Sequence, residues 1–437
     1  MRVRAALVLY GLLGAGAAAA AAPAADTWVI QNAKIVTVSG PVIERGSVVI
    51  KDGLIAEVGS SVTVPPGAEV IDGTGLSVYP GLFDANSQLG MDEARENTFG
   101  DMTPELQVYA SFHMDDDAIE MARANGITHV LARPWQRGSA NGHVRPKSVI
   151  TGQGAVMELE GWTPDARAVR KDAGLVVNFP SVGGLEYTDD ERFAVVTWSA
   201  TKKKTDQALA DLAAFFAQAR AYRAAKEKLS AEERARALPD LRLEAMIPVL
   251  EGKRPLLLDV DNRADIVAGV EFAKGQGLTP ILMGAQEAVL VADYIKRSGV
   301  RLILSPPYTV PEGEDDPVDL FHRAAAALHE KGIPFAIASF GAAGSDSRGI
   351  AYQAGTAVAY GLPYEVALRS VTLTPAEMLG VADTLGSIDK GKRANLVVTD
   401  GDILEIATRV KRVFIGGRPV DLTTRFDRAL AIYGGRK

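Results

Sequence analysis

The chain has 437 residues, of which 47% are hydrophobic and 23% charged, and its formal net charge is −7. This length and apolar content exclude a disordered chain and suffice for one large α/β barrel with a small accessory domain. The acidic balance argues against nucleic acid as a partner, because phosphate binding needs clustered lysine and arginine. The sequence has no cysteine, which excludes disulfides and thiolate metal sites.

The first 24 residues are predicted to be a secretory signal peptide. Arg2 and Arg4 supply a basic start, residues 5–22 an apolar, alanine-rich core, and Ala22-Pro23-Ala24 a small-residue cleavage site. The strongly apolar part, residues 5–13, is too short to span a bilayer of about 30 Å. We therefore expect a secreted or periplasmic protein without stable membrane insertion, whose mature N-terminus lies between Ala22 and Asp26.

Residues 25–79 have the pattern of short strands, with apolar runs at 35–38, 48–50 and 54–58. Lys51-Asp52-Gly53 is predicted to join the last two runs as a hairpin, because Asp-Gly readily takes the positive φ angles of such a turn. The pattern returns at the end of the chain, with strands predicted at 396–399 and 410–415 and a turn at Gly416-Gly417.

Between these segments, apolar runs alternate with helical stretches, which is typical of βα units. Barrel strands are predicted at 81–86, 127–132, 175–179, 255–260, 279–283, 301–304 and 334–339, and residues 155–159 are a candidate eighth strand. A long, charged helix is predicted at 205–229, within a helical insertion at 200–245. Its polar residues indicate a solvated face; a cap over the site or a subunit contact is the alternative.

Five segments carry a family resemblance. They are Asp84-Ala85 with Ser87 and Leu89-Gly90, Met102-Thr103-Pro104-Glu105-Leu106, Thr151-Gly152-Gln153-Gly154-Ala155-Val156, Thr374-Pro375-Ala376-Glu377-Met378-Leu379-Gly380, and the run from Leu385-Gly386-Ser387-Ile388 to Ala394-Asn395-Leu396. In this order they resemble the imidazolonepropionase-like group of secreted, metal-dependent amidohydrolases. The resemblance implies a TIM (β/α)8 barrel at 80–385 and a composite β-sandwich from 25–79 and 386–437. It also implies an ancestral activity, the hydrolysis of non-peptide carbon-nitrogen bonds by water activated on zinc or another divalent metal.

The positions that bind metal in this superfamily are all changed in this chain. The first strand of the family ends D-x-H-x-H, and here it reads Asp84-Ala85-Asn86-Ser87-Gln88. The resemblance places Asp259 and Asp261 at the strand-five histidines, Gly284 at the strand-six histidine, and Ser339 and Phe340 at the strand-eight aspartate. Residues 175–179 contain no lysine for a carboxylated bridge. Because a carboxamide is a much weaker ligand than an imidazole, we predict no bound metal, no catalytic residue, and a catalytically impaired protein or a pseudoenzyme.

Two alternatives stay open. Carboxylates such as Asp84, Asp259, Asp261 and Asp346 could form an atypical site of an active hydrolase, since oxygen ligands suit calcium, magnesium or manganese. The chain could instead be a structural subunit that partners an intact amidohydrolase, or it could form a homo-oligomer. A serine nucleophile at Ser87 or Ser339 has no general base beside it in sequence.

The barrel mouth is predicted to remain an open polar pocket that binds a small polar ligand or a partner's loop. Asn86, Gln88, Asp259 and Asp261 are hydrogen-bonding residues rather than apolar groups that would fill a cavity. His143 and Asp346, both in loops, are further candidates for the pocket. His322 and His329 lie seven residues apart on one predicted helix, too far to share an ion, and are expected at the surface.

Overall fold

The computed structural model describes residues 27–91, 102–134, 148–181, 184–187, 193–196, 198–308, 310–311, 315–340 and 344–435. The predicted signal peptide and His143 lie outside these residues. Within them, no helix is both long and apolar enough to cross a membrane.

The described strands, in chain order, are β1 (Thr27–Ile35), β2 (Ile43–Lys51), β3 (Leu54–Gly59), β4 (Glu69–Asp72), β5 (Ser77–Pro80), β6 (Leu82–Ser87), β7 (Ile127–Ala132), β8 (Ile150–Glu158), β9 (Ala168–Asn178), β10 (Gly184–Tyr187), β11 (Phe193–Val196), β12 (Leu256–Val260), β13 (Ile281–Gly284), β14 (Arg301–Leu304), β15 (Phe335–Ile337), β16 (Leu396–Thr399), β17 (Val410–Ile415) and β18 (Arg418–Pro419). The described α-helices are α1 (Asp117–Ala124), α2 (Pro164–Arg167), α3 (Trp198–Glu227), α4 (Ala231–Arg236), α5 (Leu241–Leu250), α6 (Arg263–Gly275), α7 (Ala292–Ser298), α8 (Leu320–Glu330), α9 (Ile350–Ala359), α10 (Tyr364–Ser370), α11 (Leu373–Met378) and α12 (Arg425–Tyr433).

The two ends of the chain form one composite β domain, as predicted. Its strands are hydrogen-bonded in the order β18-β17-β16-β5-β1-β2-β3, with β4 pairing with β1. The predicted hairpin joins β2 to β3, and Asp52 and Gly53 have φ angles of 53° and 80°, the left-handed values that this turn needs. Gly416 and Gly417 turn in the same way between β17 and β18.

The central part of the chain forms a nearly closed barrel sheet in the order β15-β14-β13-β12-β9-β8-β7-β6. Residues 155–158 of the candidate eighth strand are part of β8. This strand runs antiparallel to both of its neighbours, whereas the other barrel strands are parallel. The first and last strands meet through Phe340, whose backbone N–H donates to the carbonyl of Asn86 at 3.3 Å.

Side chains alternate between two cores along the barrel strands. Leu131, Leu257 and Met283 pack inside the barrel, whereas Leu258, Leu282 and Leu304 pack outward against the helices. This alternation decides which polar residues reach the barrel interior.

The predicted long helix is α3, and it is more than a solvated face. Leu212, Phe216 and Ala219 recur at the i, i+4, i+7 spacing of one helix face and are fully buried. The Phe216 ring meets Phe272 of α6 edge to face, with the ring centroids 5.7 Å apart. Because this face belongs to the main core, α3 packs on the barrel as one of its outer helices.

Candidate functional site

A buried carboxylate, Asp84, joins the first barrel strand to the segment after the last one. The hydroxyls of Ser339 and Ser347 each donate to Oδ2 of Asp84 at 2.6 Å, and the backbone N–H of Ser339 donates to Oδ1 at 3.0 Å. The Ser87 and Ser347 hydroxyls lie 2.6 Å apart and continue the chain of hydrogen bonds. Burial raises the pKa of the Asp84 carboxyl despite these donors. The Asp84 oxygens are therefore occupied by hydrogen bonds that link β6 to the segments that contain Ser339 and Ser347.

Asn86 and Gln88, at the end of β6, carry polar groups that lack partners. Asn86 is 1% exposed, yet neither its side-chain nitrogen nor its oxygen has a hydrogen-bond partner in the described structure, and the same holds for Nε2 of Gln88. A buried amide without partners costs about 1–3 kcal/mol for each group, so such atoms mark places where a bound molecule would supply the missing bonds.

Arg133 is the most informative residue at the barrel mouth. It follows β7 directly, is 2% exposed, and donates from Nη1 to Oδ2 of Asp259 at 2.8 Å. Its guanidinium carbon lies 6.0 Å from the centroid of the Phe340 ring, which belongs to the inner core. Phe340 has a left-handed φ of 49°, an uncommon conformation for a non-glycine residue. The Arg133 cation, the Asp259 carboxylate and the Phe340 ring therefore form an ordered polar cluster.

Asp261 takes the space that a strand-six ligand would need. Its Oδ1 lies 2.4 Å from the position that a Cβ atom would have on Gly284, and Gly284 has a φ of 86°. A histidine therefore cannot replace this glycine without moving Asp261. Burial and the charge of Asp259 raise the pKa of Asp261 to about 8, which leaves it largely protonated at neutral pH. Burial also raises the pKa of Asp259, whereas Arg133 opposes that change.

The residues at these strand ends do not fit a divalent metal. Among the described residues, no group of three or more histidines, cysteines or carboxylates is placed to hold an ion. The available carboxylates are otherwise used: Asp84 accepts from serines, Asp259 pairs with a cation, and Asp261 favours its protonated form. A metal here would have to displace the Arg133 guanidinium from its carboxylate.

The predicted site residues divide into separate groups. The structure brings Asp84, Asn86 and Ser339 together at the junction of β6 and β15, and Asp261 together with Gly284 beside β13. Asp346 is exposed, and its neighbour Ser347 is the residue that reaches Asp84. Among the described residues, Gln88 forms no side-chain hydrogen bond with the other predicted site residues.

Sequence reasoning missed Arg133 and Ser347. The signal for Arg133 was available, since an arginine directly after a strand and before Pro134 stands at the carboxyl edge where barrel enzymes place functional groups. Ser347 lies in a glycine-rich segment, and no local pattern indicates that its hydroxyl points to β6.

The fold and the position of this site define a class of barrel protein, and comparisons with known proteins agree. A model of the amidohydrolase family matches residues 253–420. The chain is 24% identical over 399 residues to the imidazolonepropionase of Mesorhizobium japonicum, covering 85% of this chain and 91% of that protein. It is 26% identical over 391 residues to the dihydroorotase of Mycobacterium tuberculosis, covering 82% and 86%. These matches support the amidohydrolase superfamily for this chain, and the family model covers residues 253–420 of it.

Solved structures show the same fold. An amidohydrolase from Thermotoga maritima superposes with a TM-score of 0.75 at 24% sequence identity, covering 90% of this chain and 99% of that one. A prolidase solved with N-methylphosphonate-L-proline superposes with a TM-score of 0.52 at 16% identity, covering 90% and 99%. The resemblance and the TIM-barrel architecture predicted from the sequence are confirmed.

Proposed function

We propose that this protein is a non-hydrolytic amidohydrolase-superfamily member that binds a small neutral polar compound at the carboxyl ends of its barrel strands. The observation that carries the proposal is the buried ion pair of Arg133 with Asp259, 2.8 Å between Nη1 and Oδ2. Where the family resemblance places a metal ligand, this chain holds an organic cation on that carboxylate. A fixed guanidinium opposes binding of a divalent ion both by repulsion and by occupying the oxygen that would bind it.

The charges at the mouth favour a neutral ligand. Arg133 and Asp259 compensate each other, and Asp261, with its pKa raised to about 8 by burial and by Asp259, adds little negative charge at pH 7. Burying an additional unpaired charge beside this balanced group would be costly. The unpartnered Asn86 amide offers one donor group and one acceptor. Its complement is another amide, so small amides, lactams and ureides are the proposed ligand class.

The first test is elemental analysis of protein purified without chelators. We expect well under one equivalent of transition metal and no amidase activity that a chelator removes. Near-equimolar zinc, iron or manganese, lost together with hydrolytic activity on dialysis against a chelator, would contradict the proposal.

The second test is a binding panel that compares small lactams and ureides with carboxylates of matched size. Calorimetric titration should detect the neutral compounds alone, and Asn86→Leu should weaken their binding about tenfold or more, because it removes both amide groups. Equal binding of the carboxylates would show that the site is not neutral.

An active hydrolase with an atypical site is the second candidate, and Asp261 is the observation that favours it. A general acid must hold its proton near neutral pH, which a carboxyl with a pKa of about 8 does. The same panel distinguishes the two candidates. If the metal-free protein hydrolyses these compounds, and Asp261→Asn abolishes hydrolysis but not binding, the active hydrolase is favoured.

A further inference from the structure

A cavity of about 30 Å³ lies on the helix side of the barrel sheet, beside the carboxyl ends of β13 and β14, and Gly284 forms part of its wall. Its walls are the ends of β13, β14 and β15 on one side and helices α8 and α9 on the other, including Leu304, Phe321 and Ile337. One water needs about 10–15 Å³, so this space holds about two water-sized groups, enough for the polar end of a small molecule.

Two polar atoms in the cavity wall lack partners among the described residues. They are Oε1 of Gln353 on α9 and Nδ1 of His322 on α8. Gln353 is 5% exposed, and its oxygen is a hydrogen-bond acceptor with no donor. His322 was expected at the surface; the residue is half-buried, and its Nδ1 atom is inaccessible to solvent.

The His322 ring is also held in place. Its centroid lies 4.9 Å from that of Tyr360 and 6.3 Å from that of Tyr308. A positioned imidazole nitrogen and a buried amide oxygen in one small cavity can together bind a group that both donates and accepts a hydrogen bond. A hydroxyl meets this requirement when His322 carries its proton on Nδ1, because the hydroxyl then donates to Oε1 of Gln353 and accepts from Nδ1–H.

The rest of the lining excludes a charged ligand. No carboxylate, lysine or arginine is among the described residues that line the cavity, whereas alanines 285, 288, 324, 325 and 357 contribute an apolar surface. A charged group would lose its hydration without gaining a counter-ion. We propose that this cavity is a second binding site, for the neutral, hydroxyl-bearing end of a small aliphatic molecule.

The test uses three probes of four heavy atoms each and the whole protein. 2-Propanol donates and accepts, acetone only accepts, and acetate is charged. Saturation-transfer NMR titrations should show 2-propanol binding with a dissociation constant on the order of millimolar, about tenfold tighter than acetone, and no saturable binding of acetate. A crystal soaked in 2-propanol should place its oxygen within hydrogen-bond distance of Gln353 and His322.

Variants on α9 separate binding from general effects. Ala357→Leu fills the cavity and should abolish 2-propanol binding, whereas Ala359→Leu, two residues along and exposed, should leave it unchanged. Gln353→Leu removes the acceptor and should abolish the preference for 2-propanol over acetone. That change of preference is informative even if Ala357→Leu fails to fold.

Three outcomes would overturn the site. They are no saturable 2-propanol binding up to about 100 mM, unchanged binding in Ala357→Leu, and an unchanged preference in Gln353→Leu. Because none of these variants touches Asn86 or Arg133, the amide panel at the barrel mouth succeeds or fails independently.

Discussion

The side chain of Asp261 leaves room for only a glycine at position 284. A Cβ on Gly284 would lie 2.4 Å from Oδ1 of Asp261 and 2.9 Å from the Val260 carbonyl oxygen, and the φ of 86° is strained for any other residue. We expect Gly284→Ala to lower the free energy of unfolding by about 2–4 kcal/mol, from the backbone strain and the clash together. Urea unfolding at pH 7 measures this loss.

Gly299 provides the matched control for that experiment. Its φ is 69°, but a Cβ there would meet nothing within 4 Å. Gly299→Ala should therefore cost only the conformational part, about 1 kcal/mol. Equal losses in the two variants would show that Asp261 does not occupy the space beside Gly284.

Asp261 should make stability fall as the pH rises. Burial and the charge of Asp259 raise its pKa from 3.8 to about 8, so the folded protein keeps a proton that the unfolded chain releases. The free energy of unfolding then decreases between about pH 4 and pH 8. Asp261→Asn should remove this decrease and be more stable than the wild type at pH 8 by more than about 1 kcal/mol.

Unfolding curves at pH 4 and pH 8 test this directly. The gain from Asp261→Asn should nearly vanish at pH 4, where the wild-type carboxyl is protonated in the folded state. Asp346→Asn, an exposed aspartate, is the control and should change little at either pH. A gain of the same size at both pH values would mean that the titration of Asp261 is not its cause.

At the residue scale, the family pattern located positions but not their contacts. It identified Asn86, Asp259 and Gly284 by alignment of motifs along strands, and these residues do lie at strand ends. It could not reveal that Arg133 pairs with Asp259, 126 residues away. Such a pairing depends on which side chains the closed barrel brings together, and no local periodicity encodes it.

At the scale of elements, the presence of the barrel strands was predictable from the sequence, but the direction of β8 was not. The limits of β7 and β14 match the predicted 127–132 and 301–304 at both ends, because these short apolar runs have clear breaks on either side. The antiparallel direction of β8 was not predicted. Every residue of this strand is buried, and a fully buried strand shows the same pattern in either direction.

Ser347 links the segment Gly344–Gly349 to the first barrel strand. Ser347 donates to Asp84 and contacts the hydroxyl of Ser87. We expect Ser347→Ala to destabilise the protein by about 1–3 kcal/mol, because a buried carboxylate loses a donor, and to raise the pKa of Asp84 further. Denaturant unfolding measures the loss.

Ser39→Ala is the comparison, since Ser39 makes a similar 2.8 Å hydrogen bond to Asp389 at the protein surface. Water replaces the lost partner there, so the cost should stay below about 0.5 kcal/mol. If Ser347→Ala were equally mild, the segment would be held by contacts other than the one with Asp84.

At the scale of the whole molecule, a buried polar cluster fastens the composite β domain to the barrel. Asn395, just before β16, donates from its side chain to Glu158 at 2.7 Å and contacts Nε2 of His129, while its oxygen accepts from the backbone N–H of Gly416. Arg393 pairs with Glu158 as well. The family resemblance predicted that the two chain ends combine, but these contacts cross from β7 and β8 to residues over 230 positions away.

Ionised Glu158 should be the main energetic link in this cluster. Burial opposes its charge, yet the hydrogen bond and charge of His129 and the charge of Arg393 outweigh that effect and lower its pKa to about 2. The stabilisation is therefore complete above about pH 4.5 and is lost as the pH falls towards 2. Glu158→Gln should cost about 2–3 kcal/mol at pH 7.

Thermal unfolding at pH 7 and pH 3 tests the link, with Glu160→Gln as the control. Glu160 pairs with Arg123 but is 39% exposed, so its loss should cost less than about 1 kcal/mol. The deficit of Glu158→Gln should shrink at pH 3, because the wild-type carboxylate then begins to lose its charge. A deficit that is constant with pH would show that Glu158 stabilises the junction by its shape and neutral hydrogen bonds rather than by its charge.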